Sequence, residues 1–260
     1  MTESINGTSV HFKIEGEGKQ KALLLHGWGC NMSMMEPVAD ALVQTHTVML
    51  VDFPGHGESG RPPEPWGVPE YAECISALLE KMSFYPCSVI AHSFGCRIAT
   101  WLEAEKPFLF DKIVFTGAAG IRPKPSAEAQ RRSETYKKLK KITEIIQRIP
   151  FLSGFASGLQ EKLRQRFGSR DYNALDEEMR KTFVKVIQQD LTDCYEKFIA
   201  STLLIWGDAD TETPLWMAKE MSKRIPDSGL VILEGGSHFA YLEQITRFNV
   251  IIRQFLKEED

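Results

Sequence analysis

Short apolar runs recur along the chain, separated by stretches of helical spacing. Residues 10–14 alternate apolar and polar positions with period two, the pattern of a half-exposed outer antiparallel strand. Residues 22–25, 48–51, 89–91, 113–115, 203–206 and 230–233 are instead unbroken apolar runs. Runs of that kind suit strands covered on both faces of a parallel sheet. After residue 93, Phe94, Ile98 and Leu102 recur at every fourth position. Near the end, Leu242, Ile245, Phe248, Ile252 and Phe255 trace one face of a helix. Strand and helix in alternation predict an α/β fold built on a doubly wound, mostly parallel sheet.

That rhythm stops between residue 120 and about residue 200. Pro123 and Pro125 punctuate the start, and Ser126 is placed to cap the next helical segment. Tyr136, Leu139, Ile142, Ile146 and Ile149 mark a helix face that Pro150 ends. Met179, Phe183, Val186, Ile187 and Leu191 mark another. The expected organisation is a core of residues 1–120 and 201–260 with a helical cap, residues 121–200, inserted between two strands. Such a cap would lie over the carboxyl edge of the sheet, where doubly wound folds bind ligands.

The strand at 89–91 runs into Ala91-His92-Ser93-Phe94-Gly95 and then directly into helix. This is the sequence form of a nucleophile elbow, a sharp strand-to-helix turn that lifts a serine hydroxyl above the sheet. Small residues at 91 and 95 suit the close backbone approach of such a turn. A serine needs a base, a group to orient the base, and donors for the oxyanion. His238 follows the strand at 230–233 in Gly235-Gly236-Ser237-His238, which makes it the candidate base. Asp210 follows the strand at 203–206 and is the candidate acid. Asp208 is nearer the strand end and stays its rival, although the spacing Trp206-Gly207-x-x-Asp210-x-x-x-Pro214 favours Asp210. The order serine, acid, base is the one associated with this elbow. For the oxyanion hole, the backbone N–H of Phe94 is one candidate and that of Trp28, within His26-Gly27-Trp28-Gly29, is the other.

Together these pieces, with Asp52-Phe53-Pro54-Gly55-His56-Gly57-Glu58-Ser59, resemble the α/β-hydrolase superfamily over nearly the whole chain. The resemblance implies Ser93 as nucleophile, His238 as general base and Asp210 as orienting acid. Two positions depart from the common pattern: Ala91 stands where glycine is frequent, and Cys96 where a second glycine often follows. Both are small. The activity expected is hydrolysis of carboxylic esters of small or medium size through an acyl-enzyme. An alternative is a carbon–carbon hydrolase or lyase using the same trio on an anionic substrate, as in superfamily relatives that act on ring-cleavage products or in menaquinone synthesis. The basic cap and Arg97, four residues after Ser93, motivate that alternative, and Arg122, at the start of the cap, is the other basic residue best placed to matter. A non-catalytic ligand receptor is the third reading. A peroxide-using relative fits less well, because Gly29 rather than proline follows Trp28.

Composition adds limits. An apolar fraction of 43% and a charged fraction of 25% are ordinary for a globular chain of 260 residues. The net charge of −4 gives no general pull toward nucleic acid or an anionic membrane. It is unevenly placed: residues 121–200 hold 17 Lys and Arg against 11 Asp and Glu, the rest 14 against 24. Glu128–Arg132, Glu134–Lys138 and Glu144–Arg148 have the i,i+4 order, acid first, that supports an exposed helix surface, the plainer reading of the basic segment. The five cysteines show no paired spacing, so neither a disulfide framework nor a zinc site is expected. No phosphate-loop or dinucleotide glycine pattern occurs. The expectation is therefore a small-molecule substrate, no cofactor or metal, no nucleic-acid or membrane partner, and the cytoplasm, since the N-terminal residues lack a basic and apolar leader. Further binding candidates are His26, whose loop-holding role competes with substrate contact, and the cap residues Phe151, Phe155 and Leu159, for which core packing is the competing role.

Overall fold

The computed structural model describes residues 1–122, 127–147, 159, 162 and 170–257. Eight strands form one sheet: β1 (Thr2–Ile5), β2 (Thr8–Glu15), β3 (Gln20–Leu25), β4 (His46–Val51), β5 (Cys87–His92), β6 (Phe110–Thr116), β7 (Ser201–Gly207) and β8 (Ser228–Leu233). Their order across the sheet is β1-β2-β4-β3-β5-β6-β7-β8. β2 pairs antiparallel with β1 and β4, and the pairs from β4 to β8 are parallel. Helices among the described residues include α1 (Glu36–Ala39), α2 (Val68–Lys81), α3 (Phe94–Glu105), α4 (Ala127–Gln147), α5 (Arg170–Ala174), α6 (Glu177–Gln188), α7 (Leu215–Arg224), α8 (Ala240–Glu243) and α9 (Ile245–Leu256).

The chain divides into two compact units, Met1–Arg122 with Val184–Asp260, and Pro123–Phe183. In the first, the parallel strands β3 to β7 are covered on both faces, as their unbroken apolar runs require, while the edge strand β8 is half-buried. Successive residues of a strand point to opposite faces. Thus Leu23 and Leu25 of β3 join α2, α3 and α7 in one apolar cluster, with Val89, Phe115 and Trp206. Ala22 and Leu24 join Ile90, Val114 and Ile205 in the other, under Met35, Val38, Phe248 and Ile252.

Three elements of this unit depart from the sequence pattern. β1 is a short, largely polar edge strand, and nothing in its residues separates it from a loop. α2 buries Val68, Tyr71, Ile75, Leu78 and Leu79 at helical spacing, and a proline falls in its first turn, a position where proline is tolerated. The single C-terminal helix expected from Leu242 to Phe255 is broken at Gln244, whose φ of −121° and ψ of 42° leave helical geometry between α8 and α9. Residues 184–200, grouped with the cap from sequence, pack with this unit because Val186, Leu191, Tyr195, Phe198 and Ala200 are buried in its core.

The second unit is helical where described. On α4, Thr143 is buried, whereas Ile142 and Ile145 are exposed. The expected face there is accordingly only partly covered: Tyr136, Leu139 and Ile146 are half-buried. Ile149 and Pro150 lie outside the described residues. Asp176 caps α6 by accepting from the Met179 N–H at 3.0 Å. Among the described residues, no helix is long and apolar enough to cross a membrane.

Candidate active site

Sheet topology marks one place on the carboxyl edge. The chain passes from β3 outward to β4, then returns to β5 on the other side of β3. Ligands of doubly wound sheets bind at such a reversal. The residues that follow β3 and β5 are the His26-Gly27-Trp28-Gly29 and Ser93 segments.

Ser93 links β5 to α3 with φ 50° and ψ −104°. A non-glycine residue held in this region stores strain of about 1–3 kcal/mol, often at functional sites. Neighbouring backbone over-determines it. The Ser93 N–H donates to Thr116 O at 3.1 Å, and the Ser93 carbonyl accepts from the Ala119 and Cys96 N–H groups. Gly95 has to be glycine, because a Cβ there would lie 2.6 Å from the Leu25 carbonyl oxygen. Its own N–H donates to His26 O at 3.1 Å, fastening the start of α3 to the end of β3. Cys96 is fully buried, with its thiol directed at the Ala91 carbonyl at 3.1 Å. Burial pushes that thiol well above its usual range, so it is a packing group.

His238 must reach Ser93 across two intervening strands, β7 and β6, from the end of β8. At about 4.8 Å per strand this is a span of roughly 14 Å. The loop after β8 covers it by lying flat on the strand ends, and two glycines permit that. A Cβ on Gly207, the last residue of β7, would lie 2.1 Å from Gly236 O. A Cβ on Gly117, just after β6, would lie 3.1 Å from His238 Cε1 and Nδ1. The acid and base loops are also stitched together. Asp208 Oδ1 accepts from the Gly235 N–H at 2.7 Å, and the Ala209 N–H donates to Gly236 O at 3.0 Å.

This path brings Ser93, Asp210 and His238 into one line. His238 Nε2 is 3.0 Å from Ser93 Oγ, and His238 Nδ1 is 2.8 Å from Asp210 Oδ2. Asp210 is buried and its carboxylate is filled: Oδ1 accepts from the Glu212 and Thr213 N–H groups, each at 2.9 Å. Its Oδ2 accepts from Thr213 Oγ1 at 2.8 Å besides His238. Burial alone would raise this carboxyl, but the bonds from His238 and Thr213 outweigh it and hold it below the usual value. An Nδ1–H held by a carboxylate leaves Nε2 with its lone pair toward the hydroxyl. Asp208, the rival acid, is instead the clamp on Gly235. Thr213, Gly117 and Gly207 belong to the site without being candidates from sequence. The glycines do carry a signal: Gly207 directly follows its apolar run, and Gly117 comes just after Thr116 at the end of another.

Trp28 and Phe94 flank Ser93. Phe94 is the first residue of α3, where a backbone N–H has no partner within the helix. Gly27 brings the other segment close: a Cβ on it would lie 3.4 Å from Ser93 Cβ and 2.9 Å from His92 Cδ2. The Trp28 ring stands edge-on to His56 and Phe94, at 4.8 and 5.1 Å between centroids. Phe94 in turn packs on Phe53 and Tyr71. An aromatic wall thus backs the serine.

Three of the remaining site candidates make main-chain contacts. His26 is fully buried; its Nδ1–H donates to Gly27 O at 2.7 Å and its Nε2 accepts from the Phe53 N–H at 3.1 Å. No ring nitrogen is left for a substrate, so the expected contact gives way to loop-holding. Arg97 is buried and its Nη1 donates to the Gln189 and Val186 carbonyls at 2.9 and 3.3 Å. Arg122 Nη1 donates to Gln188 O at 3.1 Å. Both arginines secure the C-terminal end of α6. Leu159 is half-buried, and Phe151 and Phe155 lie outside the described residues. Among the described residues, no three His, Cys, Asp or Glu side chains gather as metal ligands would.

Three buried imidazoles make the site acid-sensitive. Burial lowers His26 and His92 to about 3 and His56 to about 4. Unfolded histidines take up protons near pH 6.5, so between these values the unfolded chain binds up to three protons that the folded chain refuses. Stability is therefore complete above about pH 6.5 and falls as pH drops, at up to about 4 kcal/mol per unit near pH 5. Urea melts from pH 7 to 5 should show the midpoint collapsing. A midpoint that holds steady across this range would mean the three rings are not buried in neutral form.

The Alpha/beta hydrolase family model matches residues 22–249, and the chain belongs to that family. It is 24% identical to a pimeloyl-[acyl-carrier protein] methyl ester esterase of Aliivibrio salmonicida, over 97% of this chain and 98% of that protein. It is also 24% identical to a 2-hydroxy-6-oxononadienedioate/2-hydroxy-6-oxononatrienedioate hydrolase of a Pseudomonas species, over 97% and 93%. Among solved structures, an enol-lactonase from Burkholderia xenovorans LB400 superposes with a TM-score of 0.76 at 20% identity, over 99% of this chain and 100% of that one. Its likeness is one of fold.

Proposed function

We propose that this chain is a serine hydrolase that cleaves carboxylic esters of small or medium size. The observation that carries the reading is the unbroken line from Asp210 through His238 to Ser93, at 2.8 and 3.0 Å. Ser93 Oγ attacks the ester carbonyl while His238 Nε2 takes its proton. The N–H groups of Trp28 and Phe94 receive the oxyanion. The tetrahedral intermediate collapses as its C–O bond to the alcohol breaks, and His238 returns the proton to that oxygen. Water then enters, His238 takes its proton, and the acid leaves with Ser93 restored. Asp210 fixes the tautomer of His238 and stabilises its cation. The reading calls for a small-molecule substrate and for no cofactor.

A methyl ester esterase and a 2-hydroxy-6-oxononadienedioate/2-hydroxy-6-oxononatrienedioate hydrolase both stand among the relatives. The second chemistry leans on the basic cap and on Arg97, a buried side chain whose Nη1 donates to the Val186 and Gln189 carbonyls. Ester cleavage is the better-supported reading. Turnover of p-nitrophenyl esters by Ser93→Ala tests it: the variant should stay folded and lose kcat by about 10⁴-fold or more, and one that turns over within tenfold of the parent refutes the proposal.

A further inference from the structure

The loop that supplies the acid carries three carboxylates, and two of them have their partners. Asp208 accepts from the Gly235 N–H, and Asp210 has its four acceptor bonds. Glu212 is different. Its carboxylate is solvent-exposed and stands with Oε2 3.8 Å from His238 Nε2. Its backbone N–H is held by Asp210 Oδ1 at 2.9 Å, so the residue is anchored at the site while its charge faces the reacting region. Nε2 is the atom that faces Ser93 Oγ.

We propose that Glu212 sets the charge preference of the site for the leaving alcohol, favouring esters of cationic or neutral alcohols over anionic ones. This rests on the serine-hydrolase reading above. Position is what gives Glu212 this role. During acylation the serine oxygen forms its bond to the carbonyl carbon, the bond to the alcohol oxygen breaks, and Nε2 delivers its proton to that oxygen. For that transfer the alcohol oxygen must come within about 3 Å of Nε2. Glu212 and the departing oxygen therefore share one nitrogen as neighbour and lie within about 7 Å of each other, inside the screening length of roughly 8 Å at physiological salt. A charge carried about three bonds beyond the alcohol oxygen, as in choline or isethionate, still feels the carboxylate, whereas the acyl portion departs from the carbonyl carbon on its other side. A substrate acidic in its acyl part is thus still served, but an acidic alcohol is penalised.

The test uses three esters of one acid, chosen as the acid whose p-nitrophenyl ester the intact chain cleaves fastest. The alcohols are choline, its uncharged isostere 3,3-dimethylbutanol, and the anionic isethionate. For each enzyme kcat/KM is measured on all three, and the cation-to-anion ratio is read. Intrinsic differences between the esters cancel when ratios are compared between enzymes. In Glu212→Gln the ratio should fall by about tenfold, the size expected for charges this far apart near the surface. In Glu212→Lys it should fall further, and in 1 M NaCl the ratio of the parent protein should move toward that of Glu212→Gln. A ratio that stays within twofold in both variants overturns the proposal. Ser93→Ala is run beside them: a kcat there within tenfold of the parent sinks the serine reading itself, whereas a Ser93→Ala lowered by about 10⁴-fold or more with unmoved ratios sinks the role of Glu212 alone.

Discussion

Ser93→Ala and His238→Ala should each lower kcat for a p-nitrophenyl ester by about 10⁴- to 10⁶-fold, and the double variant should lose no more than either single one. In the proposed mechanism the hydroxyl becomes nucleophilic because the imidazole 3.0 Å away takes its proton. Without the imidazole the hydroxyl is inert, and without the hydroxyl the imidazole has nothing to activate. Groups that act as a unit are therefore non-additive. The activity that survives in all three variants is the contribution of the oxyanion donors and of binding. The fold should tolerate Ser93→Ala well, because the hydroxyl's bond is to His238 at the site and not to the surrounding core. His238→Ala removes one of four bonds to a buried carboxylate and should cost about 1–3 kcal/mol of stability. Stopped assays and urea melts on the same preparations check both statements. Losses that multiply in the double variant would mean that the two side chains act independently.

Gly207→Ala is expected to damage the site from a position that touches no substrate. The new methyl would fall 2.1 Å from Gly236 O and 2.6 Å from Ser237 O, both backbone atoms. Neither can rotate away, so the loop bearing His238 has to lift from the end of β7. An ordinary contact needs about 1 Å more room, and misplacing a reacting group by that much costs on the order of 10²-fold in rate. Overpacking of this kind costs about 1–3 kcal/mol of stability besides. The expected result is a folded protein with a lowered melting point and a kcat reduced about 100-fold. Gly229→Ala is the control. Its added Cβ would meet only the flexible Leu203 side chain, at 3.3 Å, and it should leave kcat near that of the parent. Equal kcat in the two variants would mean that the close passage of the two loops does not position the base.

The legible part of this protein is the part governed by strong, local patterns. Strands β3 to β7 stand out in the sequence because burial on both faces demands unbroken apolar runs, and the edge strand β8 carries such a run although only Leu233 is fully buried. The elbow stands out because a turn this tight admits only small neighbours, and Gly95 meets that demand against Leu25. The hidden part depends on direction in space. Arg97 sits one helical turn after Ser93, and spacing alone suggests a substrate contact. Its guanidinium instead runs to the carbonyls of Val186 and Gln189, some ninety residues away in sequence. His26 lies in a motif loop, yet both its nitrogens turn inward to main-chain partners. Thr213 and Glu212 carry no pattern of their own. They matter because the loop that presents Asp210 folds back over its carboxylate, and no periodicity records such a turn.

The proposed chemistry depends on one hydroxyl, at position 93, being made reactive by its neighbours. Fluorophosphonate labelling followed by peptide mass mapping reads that reactivity without any choice of substrate. The expected outcome is a single stoichiometric phosphonyl adduct on the peptide containing Ser93, absent from Ser93→Ala and formed far more slowly in His238→Ala. An intact protein that takes up no label, or labels equally fast without the imidazole at 238, would contradict it.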